Sequence, residues 1–332
     1  MPLAKTTLTA ALLTAIPLLA CAESKSIYGY DDRLDFYQAQ ASMRTLSDSV
    51  VSLWDSANVT PFPSGYNLAT KNYGTTYGLC PYERFREQPI GAFCSGALVG
   101  EDLIMTAGHC VTTEAQCRAI KFVFGYRVPG SGKPATTAVW PAEVYGCAGI
   151  VKRYLDEKPA DPANPGAVKL GPDYALIRLD RKVSGRKPLQ VNRSGIAAGA
   201  SIFVIGHPVG LPLKIAPNAS VRNASLPGYF TADLDTFGGN SGSPVFNLYT
   251  NKIEGILVRG DEDFAKSPAG CITMAAYAQT GGRGEDVTKV SVLSAYIPRL
   301  PGEKSEPVYE AVDTSALRQP AGGAPERAVT FD

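Results

Sequence analysis

The chain has 332 residues, with 32 Lys and Arg set against 31 Asp and Glu, for a formal net charge of +1. So even a balance leaves no electrostatic footprint for nucleic acid or for an anionic membrane surface. The length suits one large domain or two small ones, and abundant Gly and Pro among short apolar runs favour strands joined by turns over a helical bundle.

At the N-terminus Lys5 precedes an apolar run, Leu8 to Ala20, which is too short to span a bilayer and reads as the core of an export signal over residues 1–22. Ala20-Cys21-Ala22 fits cleavage into a secreted or periplasmic chain. The alternative, Leu18-Leu19-Ala20-Cys21, resembles a lipobox and leaves a membrane-anchored lipoprotein acylated at Cys21. Leu19 is bulkier than usual for that position, so cleavage is preferred. Either route leaves Cys80, Cys94, Cys110, Cys117, Cys147 and Cys271, an even set in an exported chain, which points to disulfides without assigning partners.

Residues 23–78 have weak pattern and read as a propeptide or an N-terminal extension. Asp31 to Val50 is predicted helical, with an aspartate cap and apolar Leu34, Tyr37, Ala41 and Leu46. Strands are predicted over Phe93 to Val99, Leu103 to Thr106, Ala119 to Tyr126, Tyr174 to Leu179, Ser201 to Ile205, Gly242 to Phe246 and Lys252 to Val258. Gly, Pro, Asn and Asp clusters separate them, as in an all-β barrel or sandwich. Ser291 to Leu300 is predicted to be a closing helix, and residues 301–332, rich in Pro, Ala, Gly and charge, a disordered tail.

Two short runs carry the chemistry. Ser241 sits in Thr236-Phe237-Gly238-Gly239-Asn240-Ser241-Gly242-Ser243-Pro244, a glycine-rich setting for an exposed hydroxyl, which needs an adjacent base to act as a nucleophile. The chain has two histidines. His109 follows the apolar Leu103-Ile104-Met105 in Thr106-Ala107-Gly108-His109-Cys110, while His207, crowded by Pro208 and Gly206, reads as a loop or structural residue. An imidazole base needs its other nitrogen held by a carboxylate. Asp173, at the head of Tyr174-Ala175-Leu176-Ile177-Arg178-Leu179, is the best placed. Asp156, Asp161 and Asp180 are alternatives in loop sequence or at a strand end.

The order His, Asp, Ser, together with Phe93-Cys94-Ser95-Gly96-Ala97-Leu98-Val99, resembles chymotrypsin-fold (trypsin-like) serine peptidases over about Cys80 to Leu300. Gly-Gly-Asn-Ser-Gly-Ser-Pro is similar to the bacterial branch related to glutamyl endopeptidases (V8-like). The resemblance implies an all-β fold of two packed six-stranded antiparallel β-barrels with a C-terminal helix, in a peptidase domain over 79–300. It implies His109, Asp173 and Ser241 as a catalytic triad and the N–H groups of Gly239 and Ser241 as an oxyanion hole. Cys94–Cys110 matches the bridge of the histidine loop, leaving Cys117–Cys147 and Cys80–Cys271 as the expected remaining pairs. It implies a protein or peptide substrate, no nucleic-acid partner, no transmembrane span, and neither metal nor cofactor; the oligomeric state stays open.

Asn240 stands where trypsin-like zymogens have the aspartate that receives a freed N-terminal ammonium, so that activation route is not expected. Val258 stands where the family often has a serine supporting the catalytic aspartate. Asp235, six residues before Ser241, together with Val258, Arg259 and Gly260, is the candidate substrate pocket. A carboxylate there leans toward a basic P1 residue, whereas Arg259 is open to pairing with Asp235 or to facing an acidic substrate. A Glu-preferring peptidase or esterase and a catalytically silent binding module on the same fold are the alternatives.

Overall fold

The computed structural model describes residues 26–155 and 171–303. The expected export signal with Cys21, the alternatives Asp156 and Asp161, and the tail beyond residue 303 lie outside the described residues. No helix among the described residues is long and apolar enough to cross a membrane.

Twelve strands build two closed antiparallel barrels. The first comprises β1 (Val50–Asp55), β2 (Cys94–Gly100), β3 (Leu103–Thr106), β4 (Ile120–Phe124), β5 (Val144–Leu155) and β6 (Asp173–Leu179), in the spatial order β4-β5-β6-β3-β2-β1. Pairing of β1 with β4, from Val51↔Phe124 to Asp55↔Ile120, closes it. The second comprises β7 (Ser201–Gly206), β8 (Lys214–Asn223), β9 (Tyr229–Ala232), β10 (Pro244–Asn247), β11 (Ile253–Arg259) and β12 (Glu285–Lys289), in the order β7-β10-β11-β12-β9-β8, closed by β7 against β8.

Period-2 alternation sorts side chains between two cores. Along β7, Ile202 and Val204 point into the second barrel with Phe230, Val245 and Val287. Phe203 and Ile205 point the other way, into a larger cluster shared with the first barrel. On β11, Leu257 joins the first set while Ile256 and Val258 join the second. Strands buried on both faces read as unbroken apolar runs, which is why β7 and β11 were legible in the sequence.

The N-terminal segment departs from the predicted helix. Leu34 and Asp35 are extended and pair with Ile215 and Lys214 at the start of β8. A 3-10 turn, Phe36–Gln38, and a short helix, Ala41–Ser47, follow. The Asp35 N–H donates to the Gln38 side chain at 2.8 Å, stopping the extended stretch, and the cap residues Ala39 and Gln40 are extended, breaking the turn from the helix. Val50, the expected helix end, instead begins β1. The boundary expected at residue 79 therefore falls inside the fold, since the region 23–78 supplies a strand that closes the first barrel.

At the other end, the segment predicted as one closing helix forms two 3-10 turns, Val290–Val292 and Ser294–Tyr296. Val290, Leu293 and Ile297 anchor it by burial. Pro298 disfavours helical backbone at Ile297, which is extended at φ −95°, ψ 125°, so no helix runs on to Leu300. Three disulfides staple the fold: Cys80–Cys271, Cys94–Cys110 and Cys117–Cys147.

Candidate active site

His109 lies in the turn that leaves β3. The Cys110 N–H closes that turn on the Ala107 carbonyl at 3.2 Å, and the Cys94–Cys110 disulfide ties it to β2. From β5, Arg153 Nε donates to the Gly108 carbonyl at 2.7 Å. The histidine side chain is about a quarter exposed, so one edge of the ring meets solvent.

Asp173 opens β6 and is wholly buried. Its Oδ2 lies 2.5 Å from His109 Nδ1, and its Oδ1 accepts from the Gly108 N–H at 2.6 Å and the His109 N–H at 3.1 Å. An ionised carboxylate only accepts, so in a neutral imidazole this contact places the ring proton on Nδ1. Thr288, on β12, clamps the backbone of the aspartate: its hydroxyl accepts from Asp173 N at 2.9 Å and donates to Asp173 O at 3.0 Å. The support that Val258 does not provide at its position thus reaches Asp173 from the histidine turn and from Thr288. Asp180 stands at the far end of β6, accepting from Gly146 N and pairing with Arg181.

Ser241 is presented by the loop between Thr236 and β10. Its carbonyl accepts from the Ser95 N–H at 2.8 Å and lies 3.6 Å from Cys110 Sγ, so the loop is held against the bridge beside His109. Gly242 makes this approach possible. Its φ is +89°, and a Cβ there would stand 2.1 Å from the Ser95 carbonyl and 2.2 Å from Thr106 Oγ1. Ser95 also reaches the preceding turn, its hydroxyl donating to the Gly239 carbonyl at 2.9 Å and accepting from His207 N at 2.9 Å. Asp263 Oδ2 accepts from Gly238 N at 2.9 Å. Ser95, Thr288 and Asp263 were not singled out in the sequence. The only available signal was Ser95 itself, a polar residue inside an otherwise apolar, fully buried strand.

The pocket residues divide. Asp235 is buried, but its carboxylate faces the N-terminal segment: Oδ1 accepts from Tyr28 N at 2.8 Å and Oδ2 from Asp32 N at 3.1 Å. Burial pushes its pKa up to about 8. Arg259 pairs with neither Asp235 nor solvent. Its Nε binds Asp286 at 3.0 Å and its Nη2 donates to the Gly171 carbonyl at 2.6 Å. Val258 is packed in the cluster shared by the barrels, and Gly260 lies against the Glu285 carboxylate. His207 is buried, stacked on Tyr126 at 5.8 Å, with Nδ1 3.0 Å from the Leu211 carbonyl; burial lowers its pKa to about 3. It is a neutral, structural imidazole. Cys94, His109 and Cys110 are close enough to suggest a metal site, but the two cysteines are bonded to each other and offer no thiolate.

The family described as trypsin-like peptidase domain matches residues 94–256, from the head of β2 into β11. The chain contains a trypsin-like peptidase domain. The match starts after β1 and ends before β12. Over 173 residues the chain is 26% identical to secreted RxLR effector protein 73 of Plasmopara viticola, covering 48% of this chain and 40% of that one. Over 196 residues it is 25% identical to the thrombin-like enzyme saxthrombin of Gloydius intermedius, covering 51% of this chain and 68% of the snake enzyme. The peptidase domain is also similar to the solved structure of the VesB protease of Vibrio cholerae, at 16% identity and a TM-score of 0.46, over 82% of this chain and 67% of that one. The chain spans under half the length of the oomycete effector it matches.

Proposed function

We propose that the protein is an exported serine endopeptidase in which Ser241 is the nucleophile, His109 the general base and Asp173 the group that orients it. The observation that carries this reading is the 2.5 Å contact between His109 Nδ1 and Asp173 Oδ2, made beside the loop that presents Ser241. In this reading His109 Nε2 takes the Ser241 hydroxyl proton as Oγ attacks the scissile carbonyl, and Asp173 stabilises the imidazolium. The oxyanion meets the N–H groups of Gly239 and Ser241; a donor of this kind is worth about 10²–10³ in rate. The imidazolium then protonates the leaving amine, and water hydrolyses the acyl-enzyme by the same proton path in reverse.

Cleavage after basic residues is part of the proposal, supported by the buried Glu285 carboxylate, which accepts from Thr236 Oγ1 in the loop before Ser241. Maturation after Ala22 is also proposed, in preference to a start near Gly78. The Ser26 carbonyl accepts from Thr236 N at 3.2 Å, and β1 closes the first barrel, so cleavage near Gly78 would cut away parts of the fold. Mass spectrometry of the mature N-terminus distinguishes Glu23 from lipidated Cys21 and from a later start.

A fluorophosphonate probe tests the chemistry. Labelling of the mature wild type and not of Ser241→Ala is expected. Absence of labelling at neutral pH would leave a silent module on a peptidase fold.

A further inference from the structure

Asp235, Thr236 and Phe237 lead into the turn that carries the proposed oxyanion donors, and the N-terminal segment 26–33 holds each of them. Asp235 accepts from the backbone N–H groups of Tyr28 and Asp32, and Thr236 N donates to the Ser26 carbonyl at 3.2 Å. Phe237 is wholly buried in one apolar cluster with Ile27, and the Arg33 guanidinium lies 4.3 Å from its ring centroid. The segment has anchors of its own. Ile27 and Tyr28 pair in parallel with Ala276 and Tyr277, and Leu34 and Asp35 join β8. Asn240, by contrast, bonds only within the loop: among the described residues its side chain accepts from Ser243 Oγ alone, at 3.2 Å.

Arg33 is wholly buried. Its guanidinium forks onto Asp31, Nε donating to Oδ1 and Nη2 to Oδ2, both at 2.8 Å. The planar group is set against two aromatic rings, Phe237 and, at 5.3 Å, Phe85. Nη1 has no hydrogen-bond partner among the described residues, so the side chain is kept at the cost of one buried, unpaired donor. An apolar residue of similar reach would fill the space without that cost, since Asp31 also pairs with Arg84 at 3.1 Å. It would lack the fixed direction of a guanidinium forked on a carboxylate and laid on a ring. We propose that Arg33 is a positioning residue for the oxyanion turn, locking the Phe237 ring and, through it, the backbone of Gly238 and Gly239. The Phe237 carbonyl accepts from Asn240 N at 3.0 Å and the Gly238 carbonyl from Val209 N at 2.5 Å, so a shift of Phe237 passes directly to the Gly239 N–H. The segment 26–33 is then an activating strap in cis, built of internal residues. The proposal rests on the peptidase reading above.

The test measures steady-state kinetics on a peptide substrate, fluorophosphonate labelling rate and urea midpoint. Wild type is compared with Arg33→Met, Arg33→Lys, Phe237→Leu and the Arg33→Met/Phe237→Leu double variant. Arg33→Met is expected to lower kcat and the labelling rate about tenfold or more with KM within about threefold, because a displaced oxyanion donor acts on the transition state. Phe237→Leu is expected to lose as much, and the double variant little beyond either single one, since both cut the same connection. Arg33→Lys keeps the charge but not the planar stack, so a loss of about fivefold is expected. It takes the place of Arg33→Met in the comparison if that variant does not fold. A purely structural role predicts a lowered urea midpoint with kcat of the folded enzyme preserved. Wild-type kcat in the folded Arg33 variants, losses that multiply in the double variant, or a loss confined to KM would each overturn the assignment. A wild type that is not labelled removes the peptidase reading instead.

Discussion

Replacing Asp173 separates orientation of the base from stability of the fold. In Asp173→Asn, an amide oxygen in place of Oδ1 still accepts from Gly108 N and His109 N, so the histidine turn keeps both anchors. The amide NH₂ then faces His109 Nδ1 at the position where Oδ2 accepted. A donor there forces the proton onto Nε2, the nitrogen that must stay free to deprotonate Ser241. In the Ser-His-Asp template this tautomer error costs about 10⁴ in kcat, which converts to about 5–6 kcal/mol of transition-state stabilisation. Asp173→Ala removes the same orienting group but also leaves two N–H groups unsatisfied, at about 1–3 kcal/mol each. The expected pattern is therefore a large loss of kcat in both variants, with a depressed urea midpoint only in Asp173→Ala. Steady-state kinetics on a peptide substrate, paired with urea unfolding by tryptophan fluorescence, reads both quantities. Asp173→Asn turning over within tenfold of wild type would refute the reasoning.

Ser95→Ala removes the donor to the Gly239 carbonyl and the acceptor of His207 N, loosening the turn that holds the proposed oxyanion donors. The expected result is a roughly tenfold fall in kcat with KM nearly unchanged, since the turn matters most when charge develops; an unchanged kcat contradicts it. His207 is held neutral, with its pKa lowered to about 3 from an ordinary 6.5. Between those values the unfolded chain binds the extra proton, so stability falls as pH drops from about 6.5 toward 3. His207→Asn, which retains a donor for the Leu211 carbonyl, is expected to flatten that acid slope in urea midpoints measured against pH. A slope unchanged by the substitution assigns the acid sensitivity elsewhere. Cys80–Cys271 closes a loop with a sequence separation of 191, so loop entropy places its contribution at about 5 kcal/mol. A Cys80→Ser/Cys271→Ser variant that unfolds within 1 kcal/mol of wild type, roughly the size of a single ordinary side-chain interaction, contradicts that figure.

Much of the proposed catalytic centre was legible because its parts are local. The turn carrying His109, the head of β6 at Asp173 and the glycine-framed Ser241 loop each need a short run of particular residues. Gly242 shows why: its conformation and its closeness to Ser95 exclude any side chain, so the requirement is written in the chain. The strands with apolar faces were readable for the same reason. β12 was not, because Glu285, Asp286 and Thr288 are buried by pairing with Thr236, Arg259 and Asp173, and no hydrophobic period marks such a strand. β1 was missed because the helix expected over Asp31 to Val50 ended at its first residue and the rest fell in a region read as weakly patterned.

Identity and spacing of residues carried the barrels' main strands, the cysteine complement and the three residues proposed as the triad, since each depends on neighbours within a few positions. The direction in which a buried charge points could not be read that way. Asp235 sits six residues before Ser241, yet it faces Tyr28 and Asp32 because the N-terminal segment folds back across more than 200 residues to offer it two N–H groups. Glu285 lies beside Gly260 because β12 pairs with β11, from Gly255↔Lys289 to Arg259↔Asp286. A carboxylate takes whichever donors the assembled fold brings to it, and at this pocket those donors come from the far end of the chain.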